Sequence, residues 1–462
     1  MALSYVWGQR QSTIALRPKQ PCGNNEPSIL SPETTPSVIT DAITVTVELG
    51  WQYLWVDRYC IDQNDEAKHM QINQMDKVYS SAVITIIAAA GDCAECGLPG
   101  VSSTLRRTQP CAMVRGRMLA STMRNPTETI GSSRWATRAW TYQEAALSKR
   151  RLVFTEEQVF FECQYVSCCE DRVVPLDLLN YKSFEDGFGS MVQRGYFEAP
   201  NNMHDTRRKT LSKFQNEVEL YTARELSYET DSLNAFMGVL NYYKNGHGPQ
   251  SFPLYTHIGL PLNSGESPSA LEAYADTLQF ALGLTWEHRI SLNRAPPRRR
   301  KGYPSFSWAG WAGVASMPDT THSVFKSMIQ IQREPGTASD LSAPPDAALF
   351  LEADVIQGQI NVSEDPAFNG LHTNFHSAFM GSRRSPILLP DDFLGRHKNS
   401  SRLQPILVDC ILIASRPGRT WFMLIENHGE TAERIGIFNW SPTRNEEGWH
   451  NLQKTRRRIY LG

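Results

Sequence analysis

Blocks of apolar and polar positions near the start of the chain predict a βαβ unit. The run YLWV at 53–56 is short, apolar and rich in strand formers, and reads as a buried strand. It ends on Asp57, after which the chain turns polar through Arg58, Asp62, Gln63, Asn64 and Asp65. Ile72, Met75, Val78, Tyr79 and Ala82 then fall at helical spacing on one face, while Lys68, Asn73, Asp76 and Lys77 lie mostly off it. The run VITIIAAA at 83–90 is apolar without alternation, the mark of a strand covered on both faces in a mostly parallel sheet. Open α/β sheets place ligands beyond the carboxyl ends of such strands, so the polar loop after Asp57 is a candidate binding region.

Upstream, ALSYVW at 2–7 predicts another strand, closed by Gly8; a buried strand with no lead-in raises the expectation that the N-terminus is truncated. Thr35-Pro36 predicts a helix start, with a hydroxyl cap and proline at the first helical position. Val38, Ala42, Val45 and Leu49 form its apolar stripe and Gly50 its stop. Residues 111–123 read as extended chain. Trp135, Arg138, Ala139, Tyr142 and Ala146 predict one helix over 133–148, with Lys149, Arg150 and Arg151 suited to its negative end. A hairpin follows around Thr155-Glu156-Glu157.

An α/β domain over 1–165 is thus expected, then a linker or insertion over 166–210. A helical region over 211–315 comes next, with helices at 211–224, 231–243 and 270–286, a basic run RAPPRRRKGYP and the tryptophan-rich PSFSWAGWAGV. A small antiparallel β region over 316–462 completes the chain, carried by ALFLEADVIQGQINV, ILVDCILIAS, TWFMLIEN and RIGIFNW.

Composition narrows the function classes. The chain has 462 residues, 41% hydrophobic and 20% charged, with a net charge of −2, so bulk charge offers no reason to expect nucleic acid or an anionic membrane as partner. No apolar run reaches the roughly 20 residues that span a bilayer, and the first residues lack the pattern of a signal peptide. The odd total of 9 cysteines reads as reduced thiols in a cytoplasmic protein.

Candidate chemistry gathers at the predicted strand ends. Asp57 and Asp62, with Gln63 beside them, could orient a ribose hydroxyl or a metal; equally, Asp57 could cap the following turn and Asp62 the helix. Arg134 and Arg138, four residues apart on the predicted helix, could grip phosphates or pair with Asp57 or Glu144. Ser4, Tyr5, Trp7 and Gly8 close the first strand, where the aromatics could be core or a stacking surface. Cys93 and Cys96 form a CxxC without the second pair that a zinc site wants, and in a loop where thioredoxin chemistry would want a strand-to-helix junction; no metal site is expected. Cys60 reads as a packed small hydrophobe. Neither GxGxxG, GxxxxGK[ST] nor GxSxG occurs, which argues against their phosphate-binding and hydrolase devices. The basic run at 298–301 reads as a solvated loop in a neutral chain.

Three stretches in this order resemble the fungal heterokaryon-incompatibility (HET) domain: ALSYVWG at 2–8; LGWQYLWVDRYCIDQND leading into a helix with Glu66, Gln71, Met75 and Tyr79; and RAWTYQEAALSKRRLVF at 138–154. YTARELSYETDSLNAFMGV and GYPSFSWAGWAGV are similar to the region that commonly follows this domain. The resemblance implies a cytoplasmic effector of non-self recognition and cell death, with self-association and an upstream recognition protein as partners. A more distant similarity to TIR domains implies a TIR-like or flavodoxin-like parallel sheet. Some TIR domains cleave NAD with a glutamate inside a Trp-x-x-x-Glu pattern, which here is Trp140 to Glu144. That likeness makes Glu144 the candidate catalytic residue and Trp140 a pocket residue, with NAD as substrate and no bound cofactor.

Overall fold

The computed structural model describes residues 1–8, 35–62, 68–163, 166–171, 196–197, 207–246, 253–261, 278–289, 297–318, 325–332, 349–365, 370–376, 385–386, 389–390, 393, 395–396, 406–441 and 453–462. The chain divides into two compact units, Met1–Asn202 with Ala235–Val239, and Met203–Asn234 with Leu240–Gly462.

The first unit is built on a five-stranded sheet of β1 (Ala2–Ser4), β2 (Thr85–Ala88), β5 (Arg150–Phe154), β6 (Val159–Cys163) and β7 (Ser167–Cys169), adjacent in that order. β1, β2 and β5 run parallel; β6 and β7 continue antiparallel. Strand alternation sends Leu3, Ile86 and Ala88 to one face, where they meet Val38, Ile39, Ala42 and Val45 of α1 (Ser37–Glu48). It sends Ile87 and Val153 to the other, against Ile130 of α5 (Pro126–Gly131), Trp135 and Ala136 of α6 (Arg134–Thr137) and Ala145 of α7 (Trp140–Ala146). Helices therefore cover both faces of β2, as its unbroken apolar run predicts.

Several elements differ from the sequence expectation. Residues 53–56 do not form a buried strand: one parallel bridge joins Trp55 to Ala2, and Tyr53 is 81% exposed. The main chain leaves the sheet because Asp57 opens a short helix, α2 (Asp57–Cys60). Cys60 is exposed rather than packed. The helix after it is two pieces, α3 (Lys68–Ile72) and α4 (Met75–Ser81), with a turn at Asn73 and Gln74; residues 63–67 lie outside the described set. Pro36 itself stands at the α1 cap, one position earlier than the expected first helical residue. The predicted helix over 133–148 is broken at Arg138, whose backbone is extended (φ −86°, ψ 136°). Thr141 fastens the break, its hydroxyl donating to the Trp135 and Arg138 carbonyls. Arg134 and Arg138 therefore do not share a helix face. Arg151 does serve the end of α7, with Nε donating to the Ala145 carbonyl at 2.7 Å. The extended chain at 111–123 is a hairpin of β3 (Cys111–Val114) and β4 (Arg117–Ala120), every residue of which is exposed.

The second unit holds α8 (Arg207–Thr222), most of α9 (Met237–Asn245), where a longer helix is expected over 231–243, and α10 (Leu278–Gly283); residues 270–277 of the helix expected over 270–286 lie outside the described set. Its sheet is antiparallel in all but one contact and larger than the four predicted strands. The ladder runs β11 (Ile406–Arg416), β12 (Arg419–His428), β13 (Thr431–Trp440), β14 (Thr455–Leu461) and β9 (Leu349–Asp365), and β9 returns to β11. β8 (Ile329–Gln332) and β10 (Gly370–His376) also pair with β9. Phe306, Trp308 and Trp311 are buried, and the Trp308 and Trp311 indoles donate to Gly259 and Ser305 carbonyls, so the tryptophan-rich segment is core. The arginines of the basic run have partners within the chain: Arg298 pairs with Glu229, Arg299 with Glu433 at 2.6 Å, and Arg300 reaches Ser232 and the Trp311 carbonyl, while Lys301 is exposed. Among the described residues no helix is long and apolar enough to cross a membrane.

Because Ile86 is fully enclosed between sheet and α1, Ile86→Ala should lower stability by about 2–5 kcal/mol, whereas exposed Val47→Ala should shift it by less than ~0.5 kcal/mol. Denaturant midpoints compared at constant slope would check both.

Candidate functional site

At the carboxyl end of β1 the structure gathers two acidic side chains from distant parts of the sequence. Glu144 comes from the middle of α7 and is buried; Asp57 comes from the first turn of α2 and is half-buried. Each is held by groups from β1 and the residues just after it. The Trp7 indole donates to Asp57 Oδ2 at 2.9 Å, and the Arg58 N–H donates to Oδ1 at 2.6 Å. Ser4 and Tyr79 hydrogen-bond to Glu144. Ser4 Oγ also accepts from Trp135 Nε1 at 2.8 Å, which leaves the Ser4 proton free to point at the carboxyl group. Tyr79 lies edge-on to Trp55 at 5.6 Å, so α4 is registered on this end of the sheet. Tyr5 is buried beside Asp57, its hydroxyl without a well-aligned partner.

Arg138 is the cation of the cluster. The helix break frees its backbone from α7 geometry, and its guanidinium donates to the Tyr5 carbonyl at 3.1 Å. From there its charge favours the ionised forms of both Asp57 and Glu144.

The electrostatic balance nevertheless favours protons. Burial pushes Glu144 up to about 7, and the Asp57 charge adds to it; Ser4, Arg138 and Tyr79 pull the other way without prevailing. Burial pushes Asp57 up to about 6 against the Arg58 N–H, the Trp7 indole, Arg138 and Tyr5. The Tyr5 and Tyr79 phenols are both pushed up, first by burial, and carry their protons at neutral pH. One cation thus faces two carboxyl groups that resist ionising together.

Of the residues expected from sequence, Ser4, Tyr5, Trp7, Asp57, Arg138 and Glu144 come together here. Gly8 and Trp140 are half-buried next to members of the cluster in sequence. Asp62 is half-buried just beyond α2, and Gln63 lies outside the described residues. Asp57 is the first residue of α2, whose cap position is Val56, and its carboxyl group accepts from the Arg58 N–H and the Trp7 indole. Sequence reading missed Tyr79 and Trp135 as site residues because both sit in apolar helical stripes that also fill the core. The signal that could have found them is their polar tip, since a buried Tyr or Trp needs a hydrogen-bond partner.

Linkage gives a signed test. Glu144 and Asp57 bind protons more tightly folded than unfolded, where their ordinary values are 4.5 and 3.8. Their contribution is therefore fully present below about pH 4 and is lost as pH rises through about 6 to 7. Stability of the wild type should fall between pH 5 and pH 8 by about 1–3 kcal/mol. Glu144→Gln should flatten that fall, as measured by denaturation at a series of pH values.

No curated protein and no solved structure matches the chain. Residues 1–144 match the family model described as "Heterokaryon incompatibility protein (HET)", a span that runs from β1 through Asp57, Tyr79 and Arg138 to Glu144 itself. The carboxylate cluster is thus assembled entirely within the 1–144 stretch that is similar to the heterokaryon-incompatibility family.

Proposed function

We propose that this protein is an effector of fungal non-self recognition and programmed cell death, and that its HET domain acts by hydrolysing NAD. The observation that carries the reading is the placement of Glu144: a buried carboxyl group at the carboxyl end of a parallel strand, beside Asp57 and Arg138, in a Trp-x-x-x-Glu sequence like that of NAD-cleaving TIR domains.

The chemistry suits such a group. When the nicotinamide–ribose bond breaks, the electron pair leaves with nicotinamide and C1′ of the ribose becomes oxocarbenium-like. Water then adds to C1′ and loses a proton, giving ADP-ribose. A glutamate ionised in a dry site gains more from a passing cation than one in water, because its charge is poorly compensated beforehand. Arg138 would favour the diphosphate, and the half-buried rim of Trp7, Gly8, Asp57 and Trp140 would receive the ribose and base. An effector that must stay silent in healthy cells would act through self-association, driven by local concentration or by an upstream recognition protein.

A second reading is a non-catalytic module that works by assembly. It draws on the β3–β4 hairpin, where Met113, Met118 and Leu119 are 67%, 72% and 57% exposed.

The test is NAD loss with concentrated protein, wild type beside Glu144→Gln, across pH. The expected result is consumption that rises with pH through about 7 and drops by roughly 100-fold or more in the variant. Equal consumption in both proteins would remove Glu144 from the chemistry. No consumption, together with concentration-dependent association lost in Met113→Ser/Met118→Ser, would establish the assembly reading instead.

A further inference from the structure

Immediately after β2 the loop carries Asp92, Cys93 and Cys96, and the two sulfurs lie 3.1 Å apart. The backbone has already brought them together. Ala94–Cys96 is a single 3₁₀ turn, and the Cys96 N–H donates to the Cys93 carbonyl, a four-residue turn that holds the two Cα atoms within about 7 Å. That is within reach of a disulfide's Cα separation.

The sulfur spacing distinguishes what this pair is built for. A disulfide needs about 2.05 Å between sulfurs, a closure of about 1 Å. Two thiolates on a tetrahedral zinc stand about 3.8 Å apart, given Zn–S bonds of about 2.3 Å, so metal would have to spread the pair. Among the described residues the third possible ligand, Asp92 Oδ1, lies 3.9 Å from Cys96 Sγ, and two sulfurs with one oxygen fall short of the four protein ligands of a structural site.

The seat of the pair also limits spreading. Gly91 and Gly8 both have positive φ, and their backbones press on the two cysteines: a Cβ at Gly91 would fall 2.4 Å from Cys96 Sγ, and one at Gly8 3.0 Å from Cys93 Cβ. Both cysteines are half-buried, so a small reagent can reach them.

We propose that Cys93 and Cys96 form a dithiol that closes reversibly to an intramolecular disulfide by exchange with a low-molecular-weight disulfide such as oxidised glutathione. One cysteine thiolate attacks a sulfur of the reagent, its S–S bond breaks, and one glutathione thiolate departs and takes up a proton. The second cysteine thiolate attacks the resulting mixed disulfide, forming the Cys93–Cys96 bond and releasing a second glutathione thiolate. Both cysteine sulfurs are oxidised, both glutathione sulfurs are reduced, and the two thiol protons end on the two glutathiones. The hydrogen bond between the thiols holds the Cys93 proton above its ordinary range, and burial adds to it, so exchange quickens as pH rises and the thiolate forms. Gly8 follows Trp7 in the chain, so the bond forms against the segment that holds Asp57.

The experiment equilibrates the full chain with mixtures of reduced and oxidised glutathione, quenches with acid, alkylates and digests with trypsin. Peptide 78–106 contains Cys93 and Cys96 and no other cysteine. It should lose both alkylation sites together and two hydrogens in mass as the mixture becomes oxidising. Cys93→Ser and Cys96→Ser should each leave a glutathione adduct on the remaining thiol, as exposed Cys60 and Cys111 should in every variant. The proposal is overturned if the wild-type peptide carries only glutathione adducts or keeps both thiols while Cys60 and Cys111 react. It is equally overturned if the reduced protein retains stoichiometric zinc through Cys93 and Cys96 and resists oxidation.

Discussion

Two carboxyl groups share one cation in a site mostly shut off from water, and the rest of the first unit is arranged around that conflict. Neither Asp57 nor Glu144 ionises easily, because desolvation opposes the charge of each and their mutual repulsion opposes having both. The groups that make the site tolerable come from four separate segments: Ser4 to Trp7, Tyr79, Trp135 and Arg138. To meet, these segments need the parallel order of β1, β2 and β5, the break between α6 and α7, and the departure of the chain from the sheet at Asp57. A fold that relaxed any of these would relieve the carboxyl groups and dissolve the cluster.

The parts legible in the sequence were those where local pattern and tertiary role coincide. The unbroken apolar run at 83–90 is a strand covered on both faces, and the 150–163 hairpin pairs Phe154 with Val159 around its turn. Ser4, Trp7 and Asp57 stood out because they close predicted strands, whereas Glu144 stood out only through the Trp-x-x-x-Glu likeness. What was not legible depends on neighbours distant in sequence. YLWV has strand composition but finds β1 only through one bridge, and its outer side is left to solvent. Residues 133–148 have helical periodicity throughout, yet the Tyr5 carbonyl draws Arg138 out of the helix, which no local propensity encodes. The basic run at 298–301 looks solvated by composition, but its three arginines meet Glu229, Glu433 and Ser232, each 68 or more residues away in sequence.

The second unit encloses a cation beside an aromatic ring. Arg434 is fully buried, lies 3.7 Å from the Trp286 ring and donates to the Leu284 and Trp286 carbonyls. A guanidinium that stacks and donates in its own plane can be enclosed where an ammonium could not. Burial opposes the charge of Arg434 as it opposes those of Asp57 and Glu144, but here carbonyl groups and an aromatic face surround it.

The ring formed by β9, β11, β12, β13 and β14 has a consequence in time. Its first strand, Leu349–Asp365, pairs along residues 349–355 with its last, Thr455–Leu461. While the chain is being synthesised from its N-terminus, that stretch of β9 has no partner on this side until residue 461 has left the ribosome. The earlier strands must wait as an open sheet with bare edges, and such edges invite pairing with other chains. The order of the strands along the chain thus sets how long those edges stay bare, because the ring closes only with the last made of its five strands.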